Sequence, residues 1–468
     1  MTTTATPPRF VRDRLTALGY GGLAAYAYLL YALGPLLPLL RDDLHQSYVL
    51  MSLHSTAFAG GAVLTNLLFE RIRRRLGYRA LFWSALAGLA LGSMLLAAGA
   101  WGTAGWLTLT AAALAGIGGS LLQTTALALL AEHHGALRER ALVEANAGAS
   151  ATALAAPLIV GGLQAAGTAW NWSLLLPPIA AAVLYAAFRR EPVHPGGREA
   201  GTAQREPGGE TATPLPAGFW TLAALCGVVV GTEFCLVFYG SPQLTTVHEL
   251  TDGQASTAMG LFYGGELLGR LAGSRLTGGT RWSTPRLVLA ALALSGMGFL
   301  ALWASSVTWL ALTGLFLSGL GIANLFPLTL SLAVSAAGRR TGRATARVQL
   351  LVGAAIMLAP LLLASLSDGI GVRPAFGLGG VLIMVAMCLL ALGRRHTRPP
   401  VAHHHPQRKV PHSLPVAHHH PQRKVPHSLP VAHHHPQRMV PHSLPVAHHH
   451  PQRKVPPHFV RGDPHRAP

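Results

Sequence analysis

Three charged side chains stand inside otherwise apolar stretches of the sequence and are the residues best suited to chemistry. Glu233 lies in one stretch, and Glu266 and Arg270 lie in the next. A charged group at the centre of an apolar span costs about 2.5–3.5 kcal/mol on insertion scales, so each needs a partner or a function. Because Glu266 and Arg270 are four residues apart, they share one face of a helix and are able to pair.

Two interpretations of these charges stay open. The Glu266–Arg270 pair is either an internal ion pair that steadies its helix, or Arg270 binds an anionic or hydroxyl-rich solute while Glu266 takes a proton. Glu233 has no partner in its own stretch. A lone carboxylate in apolar surroundings suits a proton-coupling or substrate-binding site. The alternative is a carboxylate that faces a wet cavity and bonds to a nearby hydroxyl.

The stretches around these residues are long enough to cross a membrane. Charged residues form 11% of the chain, roughly half their share in a soluble domain, and the mean hydropathy is +0.38. Blocks of about 20 apolar residues, the length that crosses a ~30 Å hydrocarbon core as a helix, recur from Leu15 to Leu392. We therefore predict an all-α integral membrane protein with twelve spans, at 15–40, 48–68, 80–100, 107–131, 141–165, 170–188, 218–240, 254–276, 286–304, 307–333, 344–366 and 372–392.

The distribution of charge indicates membrane topology. A net charge of +19 could suit nucleic acid, but much of the excess lies after Leu392, and the rest clusters before the first span and after every even-numbered one. The alternate loops are acidic or nearly free of basic residues, as at Asp42, Asp43, Glu249 and Asp252. Basic loops face the cytoplasm. We expect both termini to be cytoplasmic, in a multi-pass plasma-membrane protein that binds no nucleic acid.

The chain contains an internal duplication, with helix pairs that match at one offset. Such repeats are a signature of many transporter folds. Three matches occur in chain order at offsets of 203 to 204 residues: Phe58–Leu64 with Phe262–Leu268, Gly116 and Gly118 with Gly319 and Gly321, and Arg140-Ala141 with Arg343-Ala344. Because span 2 matches span 8, and span 4 matches span 10, the two halves have the same orientation in the membrane.

We divide the chain into five segments. These are a cytoplasmic lead-in at 1–14, a six-helix bundle at 15–188, a cytoplasmic linker at 189–217, a second six-helix bundle at 218–392 and a tail at 393–468. The tail repeats a histidine-, proline- and arginine-containing unit of 15 residues from Val401. Its frequent proline predicts disorder.

Two short motifs add a family resemblance to this pattern. Asn66-x-x-x-Glu70-Arg71 precedes a run of arginines between spans 2 and 3, and span 5 contains Ala156-Pro157 followed by Gly161-Gly162. Together with the duplicated bundles, they resemble the major facilitator superfamily. The resemblance implies a secondary transporter of a small organic solute that works by alternating access, is coupled to protons and is monomeric in the bilayer.

The same resemblance suggests residues for a central cavity and a cytoplasmic gate. The gate would pair Glu70 with Arg347 or the start of its helix, and Glu144 with Arg275, with Arg71 beside them. Buried amides and tyrosines more often bridge helices than bind substrate. The cavity candidates are Tyr26, Tyr28, Tyr31, Gln123, Asn146, Tyr239 and Asn324.

Alternative functions remain at this point. The motif in span 5 favours efflux of a lipophilic compound by antiport, whereas Glu233 and Arg270 favour a polar solute. A channel, or a sensor of the same fold that transports nothing, is a further class. The sequence shows no metal-ligand spacing, nucleophile motif or loop carboxylate pair, so we expect no enzyme, no metal site and no cofactor.

Overall fold

The computed structural model describes residues 10–193, 214–279, 283–338 and 340–397, and it describes 274–279 and 395–397 by backbone only. Most of the predicted linker and the repeat tail lie outside the described residues. The described part is helical, and its helices are α1 Arg14–Asp43, α2 Tyr48–Trp101, α3 Gly105–His134, α4 Arg138–Ala165, α5 Leu176–Phe188, α6 Ala217–His248, α7 Asp252–Gly279, α8 Thr284–Ala304, α9 Thr308–Ile322, α10 Leu325–Ala336, α11 Thr341–Ile370, α12 Val372–Phe376 and α13 Leu378–Thr397.

Nine helical stretches within the described ranges are long and apolar enough to cross a membrane. Two of them, of 54 and 61 residues, are well over twice the ~20 residues that one crossing needs. The first is α2, which covers predicted spans 2 and 3 and kinks at Gly77, where φ is 71°. Glycine adopts such a positive φ without steric cost. The helix α7, which holds Glu266 and Arg270, is not among the nine.

Predicted span 10 is not one continuous helix. It divides into α9 and α10 at Asn324, shortly before Pro327. Proline has no N–H to donate to the helix ladder and crowds the preceding turn, which accounts for the break. Predicted span 12 likewise divides into α12 and α13 at Gly377.

The arginine-rich loops gather at one end of the bundle, which we call the basic end. Arg14 pairs with Glu191 at 2.8 Å, Arg79 donates to the carbonyl of Arg189 at 2.6 Å, and Arg340 donates to that of Pro214 at 2.9 Å. The first two bonds join the start of α1 and the bend of α2 to the residues after α5, and the third joins the start of α11 to the segment before α6. The opposite end contains Asp43, Tyr48, Asp252 and Asp368.

The two halves of the chain pack their helices in the same way. A side chain at Gly116 on α3 would collide with the Phe58 carbonyl on α2, and one at Gly319 on α9 would collide with the Phe262 carbonyl on α7. These are the pairs that the sequence duplication aligns. Close approach of small residues is the usual way in which membrane helices associate.

The matched glycines make a symmetric prediction. Gly116→Leu and Gly319→Leu should each lower the free energy of unfolding by about 3 kcal/mol or more, because the backbone that they would meet cannot move aside. Thermal unfolding in detergent measures this. Gly162→Leu is the matched control, since Gly162 is an exposed helix residue with no atom near its Cβ position. Destabilisation by only one of the two core variants would contradict shared packing.

Candidate functional site

The Glu266–Arg270 pair predicted from the sequence forms on α7. The two side chains are hydrogen-bonded one turn apart, and the Glu266 side chain is only 3% exposed whereas that of Arg270 is 37% exposed. Arg270 also donates through Nη1 to the Ser150 hydroxyl of α4 at 2.6 Å. The guanidinium therefore links the two halves of the chain, and one edge of it stays exposed.

Two tyrosines lie beside this pair. Tyr31 of α1 and Tyr263 of α7 contact each other edge to face, with ring centroids 5.2 Å apart. Tyr31 interacts electrostatically with Arg270 and Glu266. The Tyr263 side chain is 1% exposed, and its hydroxyl has no hydrogen-bond partner among the described residues.

Glu233 completes the cluster from α6. It is half-buried and interacts electrostatically with both Glu266 and Arg270. Two carboxylates therefore share one guanidinium, which leaves a charge of −1 when both are ionised. Such a site is able to take up one proton or one cation, and the donors around it are able to hold a polar solute.

Contacts between the halves extend from the opposite end towards this cluster. Between α2 and α11, Thr56 donates to the Met357 carbonyl at 3.3 Å, and Val63 lies against Gly353. Between α4 and α7, Gly161 packs against Gly253, and Leu158 against Gly260. The site thus lies between the two halves, beside the junction that these contacts form.

Most of the other residues predicted to line the cavity make contacts elsewhere than in the charged cluster. Tyr26 stacks on Phe58, Tyr28 donates to the Ser173 carbonyl at 3.2 Å, and Tyr239 is fully buried near Tyr48 at the opposite end. These side chains fill the space between helices or form hydrogen bonds from one helix to another, as buried polar groups in membrane proteins generally do.

The amide candidates also satisfy helix backbones rather than the site. Asn146 donates to the Leu142 carbonyl of its own helix at 2.8 Å. Asn324 donates to the Gly269 carbonyl at 2.6 Å and so ties the break between α9 and α10 to α7. Gln123 is partly buried on α3.

The predicted pairing of Glu70 with Arg347 is not formed in this conformation. Glu70 accepts instead from Arg73 at 2.7 Å and Arg74 at 2.9 Å, and these hydrogen bonds lower the pKa of the Glu70 carboxyl to about 2. Arg71 and Arg347 are both exposed. The physical reason is that Arg73 and Arg74, about one turn further along the same helix, already satisfy the Glu70 carboxylate.

Glu144 is bound by the segment before α1. Arg12 pairs with it at 2.8 Å and Arg140 at 3.2 Å. The side chain of its predicted partner, Arg275, lies outside the described residues. The role of Arg12 had no signal in the sequence, because it depends on a contact 132 residues away.

Comparison with known proteins gives a family and a fold. The family model described as Major Facilitator Superfamily matches residues 20–278 and 223–433. A bacterial homologue of the human lysosomal transporter Spinster, solved inward-facing and unoccupied, has a TM-score of 0.63 at 14% identity, over 82% of this chain and 96% of that one. The nucleoside transporter NupG has a TM-score of 0.60 at 12% identity, over 82% and 98%. No curated protein matches the sequence.

The ion pair makes a prediction about stability. Glu266→Gln should lower the free energy of unfolding by about 2–3 kcal/mol. This loss is at the low end of that expected when one partner of a buried ion pair is removed, because Arg270 is partly exposed and Glu233 is near. The double variant Glu266→Gln/Arg270→Gln should recover more than half of that loss. Thermal unfolding in detergent tests this, with Glu249→Gln as the exposed control. Additive losses in the double variant would show that the two residues are not coupled.

Proposed function

Because the chain belongs to the major facilitator superfamily, a family of secondary transporters rather than enzymes, we propose that it moves a small organic solute by alternating access, coupled to protons. The observation that carries this proposal is the charged cluster between the halves. Glu233, Glu266 and Arg270 come from α6 and α7, and Ser150 reaches them from α4. A site at the junction of two repeated bundles is reached from either side when the halves rock.

The proposed topology has twelve crossings with the basic end in the cytoplasm. The kinked α2 supplies two crossings, and α7 supplies one despite its charges. Arg14, Arg79 and Arg340 mark the basic end, and the positive-inside rule assigns that end to the cytoplasm of a cell membrane. We propose that the described conformation, in which Asp368 joins the halves at the opposite end and Glu70 is not paired with Arg347, is inward-open.

In the proposed cycle, Glu233 carries the proton. The Glu266–Arg270 pair is internally neutral, so the unpaired charge of the cluster rests on Glu233. A proton on Glu233 would make the cluster neutral. This would lower the free energy of the closed intermediate, since net charge in an apolar junction is costly. Arg270 and Tyr31 would bind the solute through the open edge of the guanidinium and the phenol.

We favour a polar solute over a lipophilic one. The span 5 motif, which favours efflux, packs against the other half through Gly161 and Gly253, so its glycine has a packing role. The open edge of Arg270 instead offers directed hydrogen bonds. We propose that the protein acts as a monomer, because one chain supplies the whole cluster.

Glu233→Gln tests the coupling. In proteoliposomes with an internal pH dye, a panel of sugars, nucleosides and organic acids should drive proton movement with wild type, and at least tenfold less with the variant, because the amide cannot take the proton. Glu249→Gln, which removes an exposed acid immediately after α6, is the control. Undiminished solute-dependent proton flux in Glu233→Gln would remove Glu233 from the mechanism.

The cytoplasmic gate gives a second test. We propose that Glu70 meets Arg347 when the basic end closes, with Arg71, Glu144 and Arg275 in the same gate. Glu70→Arg or Arg347→Glu should each lower the solute flux by roughly tenfold, since like charges would face each other in the closed gate. The double exchange should recover most of the flux. A double variant as slow as the worse single variant would exclude the pairing.

A further inference from the structure

At the opposite end, the last turn of α11 holds the first turn of α2. One carboxylate oxygen of Asp368 accepts from the backbone N–H of Tyr48 at 2.8 Å, and the other accepts from that of Val49 at 3.0 Å. The first N–H groups of a helix have no partner within the helix, and the helix dipole adds attraction for a negative charge there.

This contact differs from an ordinary helix cap. The local cap of α2 is already supplied by Ser47, whose hydroxyl accepts from the Leu50 N–H at 3.2 Å. Asp368 is an additional acceptor that comes from 320 residues away in the sequence, and it belongs to the other half of the chain. The two bonds therefore join the halves rather than complete one helix.

The surroundings show that this contact is part of a closed junction. The centroids of the Tyr48 ring and the Tyr239 ring on α6 lie 6.1 Å apart. The Arg41 guanidinium lies over the same Tyr48 ring, 4.1 Å from its centroid. One turn into α2, Ser52 is 1% exposed and faces the Tyr239 hydroxyl. Each of these contacts crosses between the halves, apart from that of Arg41.

The first half of α2, before the bend at Gly77, runs antiparallel to α11, so the start of α2 meets the end of α11 and the bend of α2 lies towards the start of α11. Tyr48 lies against Asp368, Thr56 against Met357 and Val63 against Gly353. Beyond Val63, Glu70 is near the other end of this helix pair and is bound by Arg73 and Arg74 of its own helix. The Asp368 carboxylate thus bonds to the other half of the chain, whereas the Glu70 carboxylate bonds only within its own helix.

We propose that Asp368 is the latch that holds the opposite end closed while the basic end is open, and that it exchanges roles with Glu70 during the cycle. This inference rests on the proposed alternating access. When the opposite end opens, α2 and α11 part there and both bonds from Asp368 break. When the basic end closes, Glu70 comes to the start of α11, which presents the same kind of unpaired N–H groups.

Cysteine labelling tests the latch without a substrate. In a background that lacks the free Cys226, Cys235 and Cys388, Ser52→Cys places a thiol in the closed junction. The purified protein in nanodiscs, with both faces accessible, is treated with a water-soluble maleimide. Asp368→Ala should raise the labelling rate by about tenfold, and Asp368→Asn by less, because two charge-assisted hydrogen bonds are lost or weakened.

Two further variants separate a latch from a general effect of charge or folding. Glu70→Gln should slow the labelling, since it weakens the closed basic end and so favours the closed opposite end. Glu249→Gln, which removes an exposed acid at the same end, should leave the rate unchanged. If Asp368→Ala does not fold, Asp368→Asn alone decides by the same readout.

The outcomes are distinguishable from those of the transport proposal. An unchanged labelling rate in the Asp368 variants, or an equal increase with Glu249→Gln, overturns the latch even where solute flux is present. Rapid labelling of Ser52→Cys with Asp368 intact also overturns it, because the junction would not be closed. Faster labelling in Asp368→Ala together with slower labelling in Glu70→Gln supports the latch even if none of the tested solutes moves protons.

Discussion

A charged side chain loses its hydration when it enters an apolar helical bundle, and it stays there only with a partner. In this protein that constraint gathers the charges of the apolar interior in one place. Glu266 is buried against Arg270 on its own helix, Arg270 reaches Ser150 on the other half, and Glu233 lies within electrostatic range of both. The cluster is consequently both a concentration of charge in the interior and a connection between the two halves.

Glycines bring helix backbones close together both within each half and between the halves. Within a half, glycines such as Gly116 and Gly319 bring helix backbones together so closely that no side chain fits. Between the halves, Gly161 and Gly253 also approach closely, and the bonds of Asp368 to the start of α2 add directed hydrogen bonds. Close-packed units move as rigid bodies, whereas a small set of directed hydrogen bonds has two discrete states, made and broken.

The two ends of the molecule also have opposite electrostatic character. Arginines at the basic end bind carboxylates and carbonyls of neighbouring loops, as Arg12 binds Glu144 and Arg340 binds the Pro214 carbonyl. At the opposite end, Asp43 accepts from the Trp170 indole at 2.8 Å, and Asp368 caps a helix. The charged residues concentrated at each end therefore also supply the hydrogen bonds that organise that end.

The sequence by itself determined the helical membrane class, the duplication and the Glu266–Arg270 pair, because length, hydropathy and a four-residue spacing are local properties. It also identified Glu233, which is conspicuous for its charge alone. Tertiary structure decided which tyrosine joins the site, since Tyr26, Tyr28 and Tyr31 are equally plausible by type and differ only in helix face. It alone placed Ser150, Tyr263 and Asp368. Their roles depend on contacts across more than a hundred residues or on the orientation of a buried hydroxyl, and no local pattern records how two helices from different halves are set against each other.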